Sequence, residues 1–236
     1  MKRLRLFYRS TPGQKAVAAL TGLILFLFVT MHMVGNLKAL TGFDADGGAH
    51  LDHYAHFLRT VGEPAVPNGT ILWLTRGVLL IAFVVHIATV VKLAKRNRDA
   101  RPIHYEVQPA PQSFAARSML WTGVLLAGFV VFHILHFTTG TIRIGAFEHG
   151  AVYANVFASF RHGFAAALYI GMMVVLALHL YHGVWSMFQT LGLDNPDRNR
   201  GLRLLALGGA VVVAGGFVTL PLLFFLGVLG APPGGA

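Results

Sequence analysis

Five long apolar stretches run through the 236-residue chain, and four of them carry a histidine well inside the apolar part. These histidines are His32, His86, His133 with His136 one turn later, and His179 with His182 one turn later. An imidazole inside a lipid bilayer is costly unless it is paired or bound to a metal ion, so each is a functional candidate. This combination of length, hydrophobicity and histidine position constrains the fold more than any other feature.

The apolar stretches predict an all-α fold, an integral membrane bundle of five transmembrane helices. Each stretch reaches the length of about 20 residues that a helix needs to cross a bilayer. We expect a single membrane domain over residues 1–236, with spans near 15–40, 70–93, 117–140, 162–189 and 203–230. Hydrophobic residues make up 55% of the chain and charged residues only 12%, which leaves no room for another folded domain.

The positions of lysine and arginine predict the orientation. Fourteen of the 19 basic residues fall on one side of the five spans and five on the other. The positive-inside rule places the richer side and the N-terminus in the cytoplasm, and the C-terminus outside the cytoplasmic (inner) membrane. The net charge of +10 therefore reports topology and predicts no nucleic-acid partner, although a basic face also suits anionic membrane lipid or an acidic partner subunit.

The depth of each histidine follows from the same topology. His32 lies 17 residues after Lys15, and His133 lies 16 residues after the arginine that opens its span. At 1.5 Å per residue, both lie roughly 25 Å from the inner boundary. His86 lies six residues before Lys92, which puts it roughly 9 Å from that boundary. The fourth span carries its two histidines in the inward half.

The histidines therefore form two pairs about 15 Å apart in depth. His32 and His133 form the outer pair, and His86 forms the inner pair with His179 or His182. Two imidazoles at one depth on facing helices suit a bis-histidine haem, so the sequence predicts two haems b. Zinc is disfavoured because neither pair has a third ligand nearby, and the chain has no cysteine.

Other histidines leave alternatives open. His136 and His182 each share a helical face with the preceding candidate, so either is a possible alternative ligand. His50, His53 and His56 lie along one face of a predicted helix in the longest outer loop. They indicate either a zinc site or, as the favoured interpretation, an amphipathic helix at the membrane interface.

Two glycines repeat the same spacing. Gly22 precedes His32 by ten residues, Gly123 precedes His133 by ten, and a threonine precedes each glycine. Ten residues of helix rise about 15 Å, which places each glycine near the depth of the inner haem. A missing side chain there would let a porphyrin approach the backbone; close helix packing is the alternative.

Four segments, in this order, carry a resemblance to a known family. They are Gly22 to Asn36 around His32; Val84, Val85 and His86; Arg117, Thr122, Gly123 and His133; and His179 to Ser186 with Gly183 and Trp185. Together they resemble the dihaem cytochrome b (b558-type) membrane-anchor subunit of succinate dehydrogenase and fumarate reductase, the single-polypeptide type with five helices. The similarity extends over nearly the whole chain.

The resemblance implies an anchor for a flavoprotein subunit and an iron–sulfur subunit on the cytoplasmic face. The chain would be the subunit of succinate:quinone oxidoreductase that does not bind succinate, and would pass electrons between the iron–sulfur subunit and a quinone, usually menaquinone. The family motif puts the axial ligand four residues before Gly183, which selects His179 over His182. Some relatives carry a glutamate two residues before this ligand, linked to proton movement, where this chain has Ala177.

His56, Glu63 and Arg76 are predicted near the outer haem and are the candidates for binding or protonating the quinone. Two other functions compete with this one. One is the cytochrome b subunit of another quinone-linked dehydrogenase, such as a formate dehydrogenase or hydrogenase, which usually arranges its ligands differently. The other is a haem-free transporter with a histidine proton relay, disfavoured by the few membrane carboxylates and the lack of an inverted repeat.

Overall fold

The structure, a computed structural model, describes residues 6–8, 10–100, 114–195 and 197–233. Its helices are, in chain order, α1 (Thr11–Asn36), a 3-10 turn (Leu37–Thr41), α2 (His50–Thr60), α3 (Thr70–Asp99), α4 (Phe114–His133), a π-helical turn (Ile134–Thr138), α5 (Val152–Phe160), α6 (Gly163–Thr190) and α7 (Asn199–Phe225). The described part contains no strand beyond one isolated bridge between Phe43 and Ala49.

Five helices, α1, α3, α4, α6 and α7, are long and apolar enough to cross a membrane. Their outward surfaces carry large apolar side chains, among them Trp121 and Phe164 at 71% exposure and Trp73 at 67%. Apolar surface on this scale is rare in water-soluble monomers and is covered by lipid in a membrane bundle. The prediction of an all-α, five-helix membrane bundle is confirmed, and the protein is a multi-pass membrane protein.

Local sequence signals explain where the first span begins. The Ser10 side chain accepts a hydrogen bond from the backbone N–H of Gly13 at 3.1 Å, and Pro12 lies in the first turn. A serine cap followed by proline is a strong helix-start signal. The helix therefore begins at Thr11, four residues before the boundary expected from hydropathy alone.

The bundle is organised around α1 and α6. Helix α1 packs against α3, α6 and α7, while α6 packs against α4 and most extensively against α7. Between α6 and α7, Met173 and Leu176 meet Ala210, Val213 and Ala214 in a buried cluster. Small residues on α7 let the two backbones approach closely, which is how helices associate in lipid.

The two ends of the bundle differ. At one end, called the basic side, α1, α4 and α7 begin and α3 and α6 end, with Lys15, Lys92 and Arg203 exposed. The other end, called the capped side, is covered by α2 and α5. There the Asp52 carboxylate accepts the N–H of Tyr153 at 2.9 Å, and the Tyr153 hydroxyl donates to the Gly230 carbonyl at 3.0 Å.

The capped side is well packed. Tyr153 is 1% exposed, and burial raises the pKa of its hydroxyl, which therefore stays a hydrogen-bond donor. The buried residues of this region are Ala39, Ala49, Leu51, Tyr153, Phe160, Ala165, Tyr169, Leu220 and Phe224. Residues from both short helices and from α6 and α7 share this core, so the covering helices are fixed to the bundle.

Candidate functional site

His32 on α1 and His133 on α4 lie side by side near the capped side. Their ring centroids are 5.9 Å apart and the rings are nearly perpendicular, at 83°. A metal–imidazole bond is about 2.0–2.1 Å long and the ring centroid lies roughly 1.1 Å behind the nitrogen, so two imidazoles on opposite sides of one metal ion have centroids roughly 6 Å apart. The separation of the two rings is therefore compatible with two imidazoles that bind one metal ion.

Aromatic rings surround the capped-side pair. The neighbours, with centroid distances between 5.5 and 6.1 Å, are Phe28 and Phe217 around His32, and Phe129 and Phe137 around His133. Within the described residues His32 makes no hydrogen bond, so its position is set by ring packing alone. Such surroundings exclude water, which favours a large apolar cofactor over a hydrated ion.

His136 is held differently from His133. Its Nδ1 lies 3.0 Å from the hydroxyl of Tyr169 and its Nε2 lies 3.1 Å from the hydroxyl of Ser159. Both ring nitrogens are therefore engaged, and the residue is only 2% exposed. His133 contacts Tyr169 through Nδ1 at 3.4 Å and keeps Nε2 free of hydrogen bonds to described residues. The geometry favours His133 over His136 as a metal ligand.

On the basic side, His86 projects from α3 towards α1. Its Nδ1 lies 3.2 Å from the carbonyl oxygen of Ala18 and 3.2 Å from the hydroxyl of Thr21. A carbonyl only accepts hydrogen bonds, so the neutral ring carries its hydrogen on Nδ1 and its lone pair on Nε2. This is the tautomer that a metal-binding histidine uses when it coordinates through Nε2.

His179 on α6 is held in the same way by α4. Its Nδ1 lies 3.2 Å from the hydroxyl of Thr122, and that hydroxyl donates its own hydrogen to the carbonyl of Met119 at 3.0 Å. Thr122 must then accept from His179, which again leaves a lone pair on Nε2. His182, one turn further, makes no hydrogen bond with the described residues.

His86 and His179 are the two basic-side histidines, and each lies beside a glycine of another helix. A Cβ atom at Gly22 would lie 3.2 Å from Cε1 of His86, and one at Gly123 would lie 3.5 Å from Cε1 of His179. Each glycine thus lies at the level of an inner histidine, as the spacing predicted. An added methyl group would crowd the His86 ring at Gly22 and would make only an ordinary contact with His179 at Gly123.

Unpartnered polar atoms lie one turn nearer the basic side. Gln14 is four residues before Ala18 on α1, and Thr89 is three residues after His86 on α3. Both are fully buried, and among the described residues the Gln14 amide atoms and the Thr89 hydroxyl have no hydrogen-bond partner. Buried polar groups are normally hydrogen-bonded, so these three atoms stand out among the buried polar groups of the described residues.

Comparison with known families adds an independent finding. Residues 95–218, just over half of the chain, match the family described as succinate dehydrogenase/fumarate reductase transmembrane subunit. The chain belongs to this family. No curated protein and no solved structure matches the chain significantly. The matched segment includes His133 and His179, whereas His32 and His86 precede it.

In this succinate dehydrogenase/fumarate reductase subunit, the loop histidines do not converge. His50 bonds to Thr41 through Nδ1 at 2.9 Å, and Nε2 of His53 lies 3.3 Å from the Asp44 carboxylate. His56 is exposed. Within the described ranges, no group of three or more histidine or carboxylate side chains is arranged to bind a metal ion. These residues do form a helix, α2, with Leu51 buried beneath it.

The predicted quinone residues also lie on the capped side. His56, Glu63 and Arg76 are exposed, and no hydrogen bond or ion pair between described residues joins them. The Arg76 guanidinium stacks on the Trp73 ring at 4.7 Å. A shallow depression of about 440 Å³ opens on the same side, lined by Lys38, Thr41, His50, His53, Tyr54 and Phe57. The role of the three residues stays a prediction.

Sequence reasoning missed the residues that orient the histidines. The sequence marks Thr21 and Thr122 only as neighbours of the repeated glycines, and it gives no sign of a role for Tyr169 or Ser159. The repeated threonine was the available signal, since a hydroxyl inside an apolar span needs a partner. The Tyr169 contacts join α6 to α4, and nothing in the sequence brings those positions together.

Proposed function

We propose that this family member is a dihaem cytochrome b anchor that transfers electrons between the iron–sulfur subunit of a succinate dehydrogenase or fumarate reductase and a membrane quinone, menaquinone. One observation carries the proposal. Four membrane helices present candidate histidines at two levels. Three of those histidines are bonded through Nδ1, and their Nε2 atoms make no hydrogen bond to any described residue. Family membership supports the enzyme class over a formate dehydrogenase, a hydrogenase or a transporter.

The proposed ligands are His32 and His133 on the capped side, and His86 and His179 on the basic side. Bound haem b supplies reversible one-electron chemistry. The protein contributes ring orientation through hydroxyls and a carbonyl at Nδ1, and a dry pocket through the aromatic rings around His32. Gly22 and Gly123, which have no side chain, let the basic-side rings lie close to the backbones of α1 and α4. Residues in such supporting positions set both metal affinity and redox potential.

The basic side is proposed to face the cytoplasm and to receive the flavoprotein and iron–sulfur subunits. The exposed Lys15, Lys92 and Arg203 lie there, and the positive-inside rule assigns such a surface to the cytoplasmic face of the cell membrane. Arg203 lies over the ring of Trp185 at 4.8 Å, at the same end as the buried Gln14. Succinate chemistry would belong to the docked subunits.

The quinone is proposed to react on the capped side. That side holds His56, Glu63 and Arg76, which can donate or accept protons and hydrogen bonds at the quinone oxygens. The position two residues before His179 is Ala177, so this chain has no carboxylate there for compensating proton movement. Protons would then be exchanged at the capped side through the exposed polar residues.

The decisive experiment is a haem count on the full chain purified with its partner subunits. A reduced-minus-oxidised spectrum should show the alpha band of a b-type cytochrome, and a pyridine haemochrome assay should give two haems per chain. Absence of the band would refute the haem proposal. One haem per chain would refute the assignment of two histidine pairs while leaving the family membership intact.

A further inference from the structure

A chain of hydrogen-bonding groups runs from His133 away from its partner histidine. The Tyr169 hydroxyl lies 3.4 Å from Nδ1 of His133 and 3.0 Å from Nδ1 of His136. Nε2 of His136 then lies 3.1 Å from the Ser159 hydroxyl. All three supporting residues are buried, with exposures of 6% for Tyr169, 2% for His136 and 4% for Ser159.

Separate elements bring this chain together. His133 ends α4, His136 lies in the π-helical turn, Ser159 lies on α5 and Tyr169 on α6. The π-helical turn is closed by the bond from the N–H of Thr139 to the carbonyl of Ile134 at 3.0 Å. Single π-helical turns inside helices are often associated with functional sites.

The Tyr169 hydroxyl lies in an aromatic enclosure. The rings that contact the tyrosine, at centroid distances from 5.0 to 6.1 Å, are Phe129, Phe132, Phe137 and Phe160. None of these rings offers a hydrogen-bond acceptor in its plane, so the two histidine nitrogens are the partners available to the hydroxyl among the described residues. A buried network of this kind fixes geometry because every member depends on its neighbour.

We propose that Tyr169 is a positioning residue for His133, and that the hydrogen bonds run outward from His133 through Tyr169 and His136 to Ser159. This inference rests on the proposed function. If His133 coordinates iron through Nε2, its Nδ1 carries a hydrogen and must donate to Tyr169. Tyr169 then donates its single hydrogen to Nδ1 of His136, which leaves His136 with its hydrogen on Nε2, directed at Ser159.

The arrangement has an electronic consequence. An acceptor at Nδ1 raises the basicity of a coordinating imidazole, which stabilises the oxidised metal and lowers its reduction potential. His32 makes ring contacts but no hydrogen bond among the described residues, so it lacks this support. The capped-side centre would thus have one supported and one unsupported ligand, whereas each basic-side histidine has a bonded Nδ1.

The test is a redox titration of the purified complex carrying Tyr169→Phe. This change keeps the ring and its aromatic contacts and removes only the hydroxyl. We expect the reduction equilibrium of one haem to shift by roughly tenfold towards the reduced form, about 59 mV for one electron, with the other haem unchanged. The electron paramagnetic resonance signal of the same haem should also shift, because the His133 ring loses its orienting bond.

Two further variants sharpen the test. Ser159→Ala removes the far end of the chain and should shift the same haem in the same direction by a smaller amount. Tyr181→Phe removes a hydroxyl from α6 at a residue packed in the separate cluster with Met173, and should shift neither haem.

The outcomes separate the two proposals. A wild-type complex without haem would overturn the proposed function and this inference with it. A wild-type complex with two haems whose potentials are unchanged by Tyr169→Phe would overturn the inference alone. If Tyr169→Phe does not assemble, unchanged potentials in Ser159→Ala would overturn it instead.

Discussion

Different kinds of contact hold the histidines at the two levels. On the basic side, hydroxyl groups of Thr21 and Thr122 hold His86 and His179 through Nδ1, and a glycine follows each threonine. On the capped side, aromatic rings surround the pair and α2 and α5 close over it. On the basic side, each threonine fixes the ring of one histidine on a neighbouring helix by a hydrogen bond. On the capped side, the positions of the rings depend on packing among many helices and turns.

Because of this difference, we expect the two histidine levels to respond differently to single substitutions. Each basic-side histidine is held by a hydrogen bond to one threonine. The position of its ring should therefore depend on a few atoms, which single substitutions can remove. The capped-side histidines share a hydrophobic core with the covering helices α2 and α5. A substitution there should therefore also disturb the packing of those helices. The following experiments test that contrast, beginning with the largest expected effect.

Removing a proposed ligand should have the largest effect. His86→Ala or His179→Ala should abolish the basic-side haem and leave the other, so the haemochrome assay should fall from two haems to one. His182→Ala should retain both haems. Loss of the capped-side haem alone in His86→Ala, identified by its potential, would contradict the assignment of levels.

Adding a methyl group at the glycines should have the next largest effect. Gly22→Ala places a Cβ 3.2 Å from Cε1 of His86, tighter than normal contact, whereas Gly123→Ala places one at an ordinary 3.5 Å from His179. We expect several-fold weaker haem retention in Gly22→Ala and near-normal retention in Gly123→Ala. Gly128→Ala is the matched control, because nothing lies within 4 Å of its Cβ position.

Retention is measured as haem remaining per chain after dilution into apomyoglobin, which captures released haem. All three alanines raise helix propensity by about 1 kcal/mol, so that contribution cancels in the comparison. Equal retention in Gly22→Ala and Gly128→Ala would show that the space beside His86 is not needed.

Substitution of Thr122 should weaken haem binding more than substitution of Thr21. Thr122→Val removes the hydroxyl that binds Nδ1 of His179, and a loss of roughly 10- to 100-fold in haem affinity is typical for such a change. Thr21→Val should lower haem affinity only a few-fold, because Nδ1 of His86 still has the Ala18 carbonyl as a hydrogen-bond partner at 3.2 Å. Thr75→Val, an exposed threonine on α3, is the control. A larger loss from Thr21→Val than from Thr122→Val would contradict the hydrogen-bond assignment.

Substitutions at the quinone-site candidates should have the smallest effects, and these effects should be on quinone binding and not on the haems. Arg76→Ala and Glu63→Gln should raise the KM for quinone by a few-fold to about tenfold, as loss of a single polar contact does, with both haem potentials unchanged. Quinone reduction rates at varied quinone concentration measure this effect. If the KM stays at the wild-type value in both variants and in His56→Ala, the quinone binds elsewhere.

Much of the architecture followed from the sequence. The apolar stretches specified the five spans because only a helix satisfies its own backbone in lipid. Ser10 with Pro12 specified the first helix start, and the ten-residue spacing placed Gly22 and Gly123 at the level of the inner histidines. These are local or one-dimensional properties, which residue order and helix rise are enough to determine.

The amino-acid sequence was thus enough to predict the class of protein and the family, which are confirmed, and it predicts a depth for each histidine. Tertiary structure decided how each ring is held: that His136 has both nitrogens engaged, that His179 binds Thr122, and that Tyr169 reaches two histidines at once. These contacts join residues on different helices, and their existence depends on how each helix is rotated and tilted against its neighbours. A sequence fixes depth through rise per residue, but rotation is set by side-chain packing across the whole bundle.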